Sequence, residues 1–146
     1  MKIRNATKKD LRNILKLLKE MEKKMKNGLG DGNLISIAQM YIGKKNKCFF
    51  IAEEENKIIG YLFGHIEKKF KEDKKFSWAK LVEIYVNKIW RKRGIGKKLL
   101  EAFYNWSKHK GASKVRLDVE TKNKFAFSFW KKQNYKEETK CMERII

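Results

Sequence analysis

The sequence predicts an α/β fold in which a mixed sheet is flanked by helices, and three features of the chain predict it. Apolar residues recur at helical spacing over residues 11–25. β-favouring runs separated by turns fill residues 48–63 and 78–86. At residues 86–100 a strand passes through a basic, glycine-bearing turn into an amphipathic helix. The expected order is β-α-α-β-β-β-α-β-α-β, the pattern of one layered α/β domain over residues 1–146.

Residues 1–6 suit a short opening strand, and Thr7 with Asp10 makes a capping-box-like helix start. The helix that follows puts Leu11, Ile14, Leu15, Leu18, Met21 and Met25 on one face for the core and turns its lysines to water. Residues 27–33, with glycine at every second position from Gly28, connect it to a second helix at 34–41. Residues 48–52 and 58–63 read as a hairpin about a turn at 54–57, and residues 68–75 as a charged turn before a strand at 78–86. A helix from Gly94 to about Lys110 buries Ile95, Leu99, Leu100, Phe103 and Trp106 and stops at Gly111. A strand at 114–119, a helix over about 123–133 and a weakly patterned strand from Tyr135 onward complete the chain. Proline is absent, which removes one marker of helix ends.

A 146-residue chain can bury roughly two-thirds of its unfolded surface, so the 42% of hydrophobic residues suffices for a core without disulfides or metal. The formal net charge of +20 raises nucleic acid as a partner. Arginine, the usual reader of phosphates and base edges, occurs only at Arg4, Arg12, Arg91, Arg93, Arg116 and Arg144. The excess is lysine spread along the whole chain, which favours a solvated surface over a nucleic-acid site. The same field would repel a polycationic substrate unless local carboxylates intervened. Cys48 and Cys141 have no zinc-type spacing and are expected to be reduced thiols. With no secretory signal and no long apolar stretch, a cytoplasmic protein without membrane contact is expected.

The most informative segment runs from Val86 to Leu100. Its glycines let backbone N–H groups converge, the helix N-terminus supplies partial positive charge, and Arg91, Lys92, Arg93 and Lys97 surround it, so the segment suits a pyrophosphate. A Walker A loop fails because Lys97-Lys98-Leu99 offers no hydroxyl for magnesium. A dinucleotide fingerprint fails because only Gly94 and Gly96 are present of the three glycines it needs.

Arg91-Lys92-Arg93-Gly94-Ile95-Gly96 resembles the acetyl-CoA signature of the GNAT superfamily of N-acetyltransferases, Arg/Gln-x-x-Gly-x-Gly/Ala after a strand. The segment from Leu117 through Asn123 and Ala126 to Phe129-Trp130 is similar to that family's second block, and the element order matches over essentially the full length. The resemblance implies a mostly antiparallel sheet with two splayed parallel strands and about four helices. It also implies acetyl-CoA as cosubstrate, with its pantetheine arm paired to the backbone of Ile84, Tyr85 and Val86. Its pyrophosphate would be held by Arg91, Lys92, Arg93, Gly94, Ile95, Gly96 and Lys97, and Asn123 would meet the cofactor further along, near the start of the last helix. Three residues depart from the pattern: Lys88 stands where proline is frequent, Asn134 where glycine is usual, and Trp130 where many members carry a tyrosine general acid. An indole donates a hydrogen bond but does not release its proton.

Transfer onto an amine requires the neutral amine, and deprotonating a lysine-like ammonium near pH 7 costs about 4–5 kcal/mol, so a carboxylate base is expected. Glu83, on the strand leading to the turn, ranks first, and Asp118, on the adjoining strand, second. His65 and His109 lack partners at nucleophile or metal spacing, and no metal is expected. The acceptor is a primary amine, either a small molecule (polyamine, aminoglycoside or small amino compound) or a protein N-terminus or lysine. Nucleic acid is not expected as a partner, and a homodimer is a family habit. Two readings stand beside the enzyme: a CoA-binding domain with little transfer, suggested by Trp130, and a lysine-rich nucleic-acid binder.

Overall fold

The computed structural model describes residues 1–25 and 30–146. Strands β1 (Lys2–Asn5), β2 (Lys47–Glu54), β3 (Lys57–Lys71), β4 (Lys74–Val86) and β5 (Val115–Arg116) form one sheet in that order. The first four are antiparallel neighbours, and β5 runs parallel to β4. Four α-helices accompany the sheet among the described residues: α1 (Leu11–Met25), α2 (Asp31–Tyr41), α3 (Ile95–His109) and α4 (Lys124–Lys132). This is the mixed, mostly antiparallel α/β architecture that the sequence led us to expect.

Alternation along the strands sends adjacent side chains to opposite faces and builds two cores. On one face Phe49, Ile51, Tyr61 and Phe63 pack with Ile14, Leu17 and Leu18 of α1 and Leu34 and Ala38 of α2. On the other, Phe50, Leu62 and Leu81 pack with Leu99, Leu100 and Phe103 of α3, and α4 adds Trp130. Leu17, outside the expected apolar stripe of α1, is 3% exposed, whereas Leu11 and Leu15 are only partly buried. The side chain of Met25 lies outside the described residues.

The capping box forms and does more than cap. Asp10 accepts from the Thr7 N–H (2.8 Å) and hydroxyl (2.9 Å), and Arg4 adds two bonds to the same carboxylate, each 2.9 Å. Arg4 Nε reaches Glu53 at 2.7 Å, so one guanidinium ties β1, β2 and the entry to α1. That charge-assisted pairing holds the Asp10 carboxyl well below the usual carboxylate range.

The structure corrects the sequence reading at four places. The charged segment 68–75 is not a long turn: the β3–β4 ladder continues to Lys71↔Lys74, and only Glu72 and Asp73 turn the chain. Both have positive φ, 50° and 62°, the left-handed geometry that matches strand twist in two-residue hairpins. The second helix begins at Asp31 rather than 34; of the connection expected at 27–33, residues 27–29 lie outside the described residues. The strand expected at 114–119 shortens to Val115–Arg116, with Leu117 and Val119 packed on the α3-side core but outside the ladder. No strand forms over residues 135–146, and residues 136–146 are exposed throughout, so no buried face holds them in register.

Cys48 and Cys141 are unpaired, and burial pushes the Cys48 thiol up to about 12. Among the described residues no helix is long and apolar enough to cross a membrane, and no group of three His, Cys, Asp or Glu side chains is placed to hold a metal ion.

Candidate active site

A one-residue irregularity in β4 directs the central carboxylate. Phe63 pairs with Glu83 but the next residue, Gly64, pairs with Leu81, so Val82 is an extra residue on β4. Ahead of it Ala79 and Leu81 face α3; beyond it Ile84 and Val86 do. The alternation therefore changes phase at Val82, and Glu83 and Tyr85 turn to the α1–α2 face. Gly64 is required opposite this bulge, because a Cβ there would lie 2.3 Å from the Lys80 carbonyl oxygen and 2.7 Å from the Phe103 ring.

Glu83 lines a cleft of about 270 Å³ between α1, α2 and the sheet. α1 contributes Leu18, Met21 and Glu22, α2 contributes Leu34, Ile37, Met40 and Tyr41, and the sheet contributes Phe63 and Val82. The hydroxyl of fully buried Tyr61 donates to Glu83 Oε1. Burial pushes the Glu83 carboxyl above its ordinary range, and the Tyr61 hydrogen bond pulls it part of the way back. Burial, followed by the neighbouring carboxylate, raises the Tyr61 phenol far beyond its usual value, so it serves as a fixed donor.

Next to the cleft the sheet stops pairing. The parallel β4–β5 ladder has two rungs, Ala79↔Val115 and Lys80↔Arg116, and residues 81–86 of β4 have no strand partner on that side among the described residues. Ile84, Tyr85 and Val86 thus stand on a free strand edge, as the GNAT resemblance implied. Beyond Val86 the chain makes a 3₁₀ turn over Lys88–Trp90, where Asn87 Oδ1 accepts from the Ile89 N–H at 3.1 Å. Asn87 Nδ2 donates to Glu20 of α1 at 3.0 Å, which fixes the turn to the helix. Arg91 Nε donates to the Val86 carbonyl at 2.9 Å with its guanidinium over the Tyr85 ring, and Arg93 lies over Trp90. Lys92 and Gly94 have positive φ, 61° and 75°, and this pair of left-handed residues turns the chain into α3.

Gly94 is the N-cap of α3 and has no side chain to close it. The first intrahelical bond runs from the Lys98 N–H to Gly94 O at 3.1 Å, so the preceding amides lack intrahelical acceptors. Ile95 is buried and roots the helix, a Cβ on Gly96 would meet nothing within 4 Å, and Arg91, Lys92, Arg93 and Lys97 are exposed around the opening. The structure brings the whole predicted set from Ile84 to Lys97 to one end of β4.

The remaining candidates are placed less directly. Asn123 accepts from the Ala126 N–H at 3.0 Å and so caps α4. Asp118 is 90% exposed and bonded to Lys80 at 2.5 Å, a surface ion pair across the mouth of the two strands. Trp130 is 9% exposed, edge-on to Tyr135, whose hydroxyl is paired with that of Tyr104 at 3.0 Å. His65 bonds Tyr41 and Glu67, both at 3.1 Å, and His109 is exposed. Sequence reasoning missed Tyr61 and Glu22. Nothing local distinguishes Tyr61 from a packing residue, but Glu22 had a signal: it falls four residues after Leu18, on the apolar stripe.

An open-edged mixed sheet whose fourth strand leads through a basic turn into an uncapped helix defines a class of α/β proteins with open amides and positive charge at one end of the sheet. The comparisons with known proteins identify the family. A family model described as "Acetyltransferase (GNAT) family" matches residues 13–135, and the chain belongs to that family. It is 33% identical over 95 residues to an N-alpha-acetyltransferase of Sulfurisphaera tokodaii, covering 62% of this chain and 57% of the relative. It is 24% identical over 105 residues to human N-acetyltransferase 8, covering 71% of this chain and 45% of that protein. The chain thus spans about half the length of the curated relatives it matches. Among solved structures, aminoglycoside N-acetyltransferase AAC(6')-Iy in complex with CoA superposes with a TM-score of 0.83 at 20% identity, covering 99% of this chain and 93% of that one.

Proposed function

We propose that residues 1–146 act as a single N-acetyltransferase domain that transfers an acetyl group from acetyl-CoA to a primary amine in a ternary complex. The observation that carries this reading is the two-rung β4–β5 ladder: it leaves the edge of β4 free where the strand leads into the uncapped start of α3. The residues fit the cosubstrate. The open edge of β4 at Ile84, Tyr85 and Val86 suits the pantetheine amides, with Ile84 and Val86 turning their backbone groups outward and the Val86 carbonyl also accepting from Arg91. The open amides of α3, with Arg91, Lys92, Arg93, Gly94, Ile95, Gly96 and Lys97, suit the diphosphate. Asn123, which caps α4, meets the cosubstrate further along in this reading. When bound, acetyl-CoA supplies an acyl thioester activated toward a neutral amine.

Glu83 is the base in this reading. Its carboxylate lines the α1–α2 cleft, and a carboxyl raised by burial is nearer to neutral pH, where a general base works best. The ammonium proton passes to Glu83, directly or through water, and Tyr61 keeps the acceptor oxygen in place. Asp118 has the weaker case, since Lys80 engages it and solvent surrounds it. Trp130 has no proton to give a departing thiolate, and Tyr135 is hydrogen-bonded away to Tyr104. A thiol of pKa about 8.5 loses only about 2 kcal/mol by leaving unprotonated at pH 7, so turnover does not need that acid.

Titration calorimetry tests the first half of the reading. Arg91→Ala and Gly94→Val, the second also straining the left-handed backbone at the N-cap, are expected to weaken acetyl-CoA binding about tenfold or more, and unchanged affinity in both would refute the assignment. Trp130 favours the second reading, a CoA-binding domain with little transfer. Thiol release over a panel of amines separates the two.

A further inference from the structure

We propose that Glu22 selects the acceptor, and that the acceptor is a small amine with an apolar body and a second cationic group, an alkyl diamine in type. The inference deepens the acetyltransferase reading and rests on it for the reacting nitrogen. Two carboxylates from different elements, Glu22 of α1 and Glu83 of β4, line one cleft whose other walls are chiefly aliphatic and aromatic, among them Leu18, Leu34, Ile37 and Phe63. Glu83 has its protein donor in Tyr61. One oxygen of Glu22 lacks such a donor: Oε1 is shielded from solvent without a hydrogen-bond partner among the described residues. A shielded carboxylate oxygen with no donor is costly, and the cost is removed by a ligand that brings one.

A monoamine cannot serve both groups, because the nitrogen that gives its proton to Glu83 is the only one it has. A second ammonium at Glu22, joined by methylenes that lie on the apolar wall, satisfies both ends. A hydroxyl-rich aminoglycoside fits poorly. Each buried hydroxyl needs a partner, and Tyr41, the other polar side chain in the lining among the described residues, is bonded to His65. The cleft, at about 270 Å³, also falls below the roughly 300–1,000 Å³ of sites for drug-sized ligands. The overall charge of +20 repels cations, and the carboxylates of Glu22 and Glu83 in the cleft oppose that repulsion locally.

The test measures CoA release by the full chain with matched acceptors, butylamine against 1,4-diaminobutane and hexylamine against 1,6-diaminohexane, with an aminoglycoside as the third arm. The wild type is expected to prefer each diamine at least tenfold in kcat/KM. Glu22→Gln should erase that preference through the KM of the diamines, and Glu22→Asp should restore part of it. Equal use of monoamine and diamine, equal slowing of both by Glu22→Gln, or preference for the aminoglycoside would overturn the proposal. Should acetyl-CoA bind and no amine be turned over, the transfer reading fails separately. Calorimetry with 1,6-diaminohexane then decides this one: binding that Glu22→Gln abolishes supports it, and absence of binding to the wild type overturns it.

Discussion

Glu83 sits where stability and activity pull in opposite directions. Its folded-state pKa is raised, so the protein holds that proton more tightly folded than unfolded. The associated stability is present below the unfolded carboxylate pKa and is lost as pH rises through the folded value. Once ionised, as a base must be, the half-buried carboxylate is therefore a liability. Glu83→Gln is expected to raise Tm at pH 7 while lowering kcat roughly 10²–10⁴-fold, the usual contribution of a general base. Thermal melts and turnover on the same preparation check both, and an unchanged kcat would remove Glu83 from the chemistry. Tyr61→Phe takes away the hydrogen bond that lowers the Glu83 pKa, so the acid limb of the pH–kcat/KM profile should move upward.

At the scale of elements, the decisive device is the bulge at Val82, since it changes which face of β4 carries Glu83. Gly64 is its counterpart. Gly64→Ala should cost about 3 kcal/mol, at the upper end for overpacking because the nearest contact is a backbone carbonyl. A fall in the denaturation midpoint with unchanged m-value would show it. The helices were legible in the chain for simple reasons. The apolar stripe of α1, its Thr7–Asp10 start and the Gly94-to-Gly111 frame of α3 are local patterns. The β3–β4 hairpin was not legible beyond Phe63. Its outer rungs, such as Lys69↔Phe76, are held by backbone pairing with exposed side chains, so no alternation in the sequence marks them.

At the scale of the whole molecule, charge sets the response to solution conditions. With a net charge of +20, self-repulsion opposes the folded state, and raising ionic strength from about 0.05 to 0.5 M shortens the screening length from roughly 14 to 4 Å. Tm is expected to rise over that range at pH 7. Acid acts the other way: the depressed Asp10 pKa contributes stability above its unfolded value, near 4, and that contribution is lost as pH falls through the folded one, while the other carboxylates also neutralise. A Tm that falls with added salt would show that specific ion pairs, such as Arg4 with Asp10 and Glu53, outweigh the repulsion. The lysine surplus itself calls for no nucleic acid: affinity for duplex DNA should be weak near 0.15 M salt, with a filter-binding slope against salt to check it.

By itself the sequence determined the element order as far as α4, the apolar stripes of α1 and α3 and the position of the basic turn that opens α3, because helix stripes, caps and glycine-bearing turns are encoded within a few residues of one another. Only the tertiary structure decided that the β4–β5 ladder ends after two rungs, that Val82 turns Glu83 toward α1 and α2, and that Glu22 and Tyr61 join it there. Those facts depend on register between strands far apart in the chain, and a one-residue shift in register exchanges the two faces of a strand without altering any local pattern.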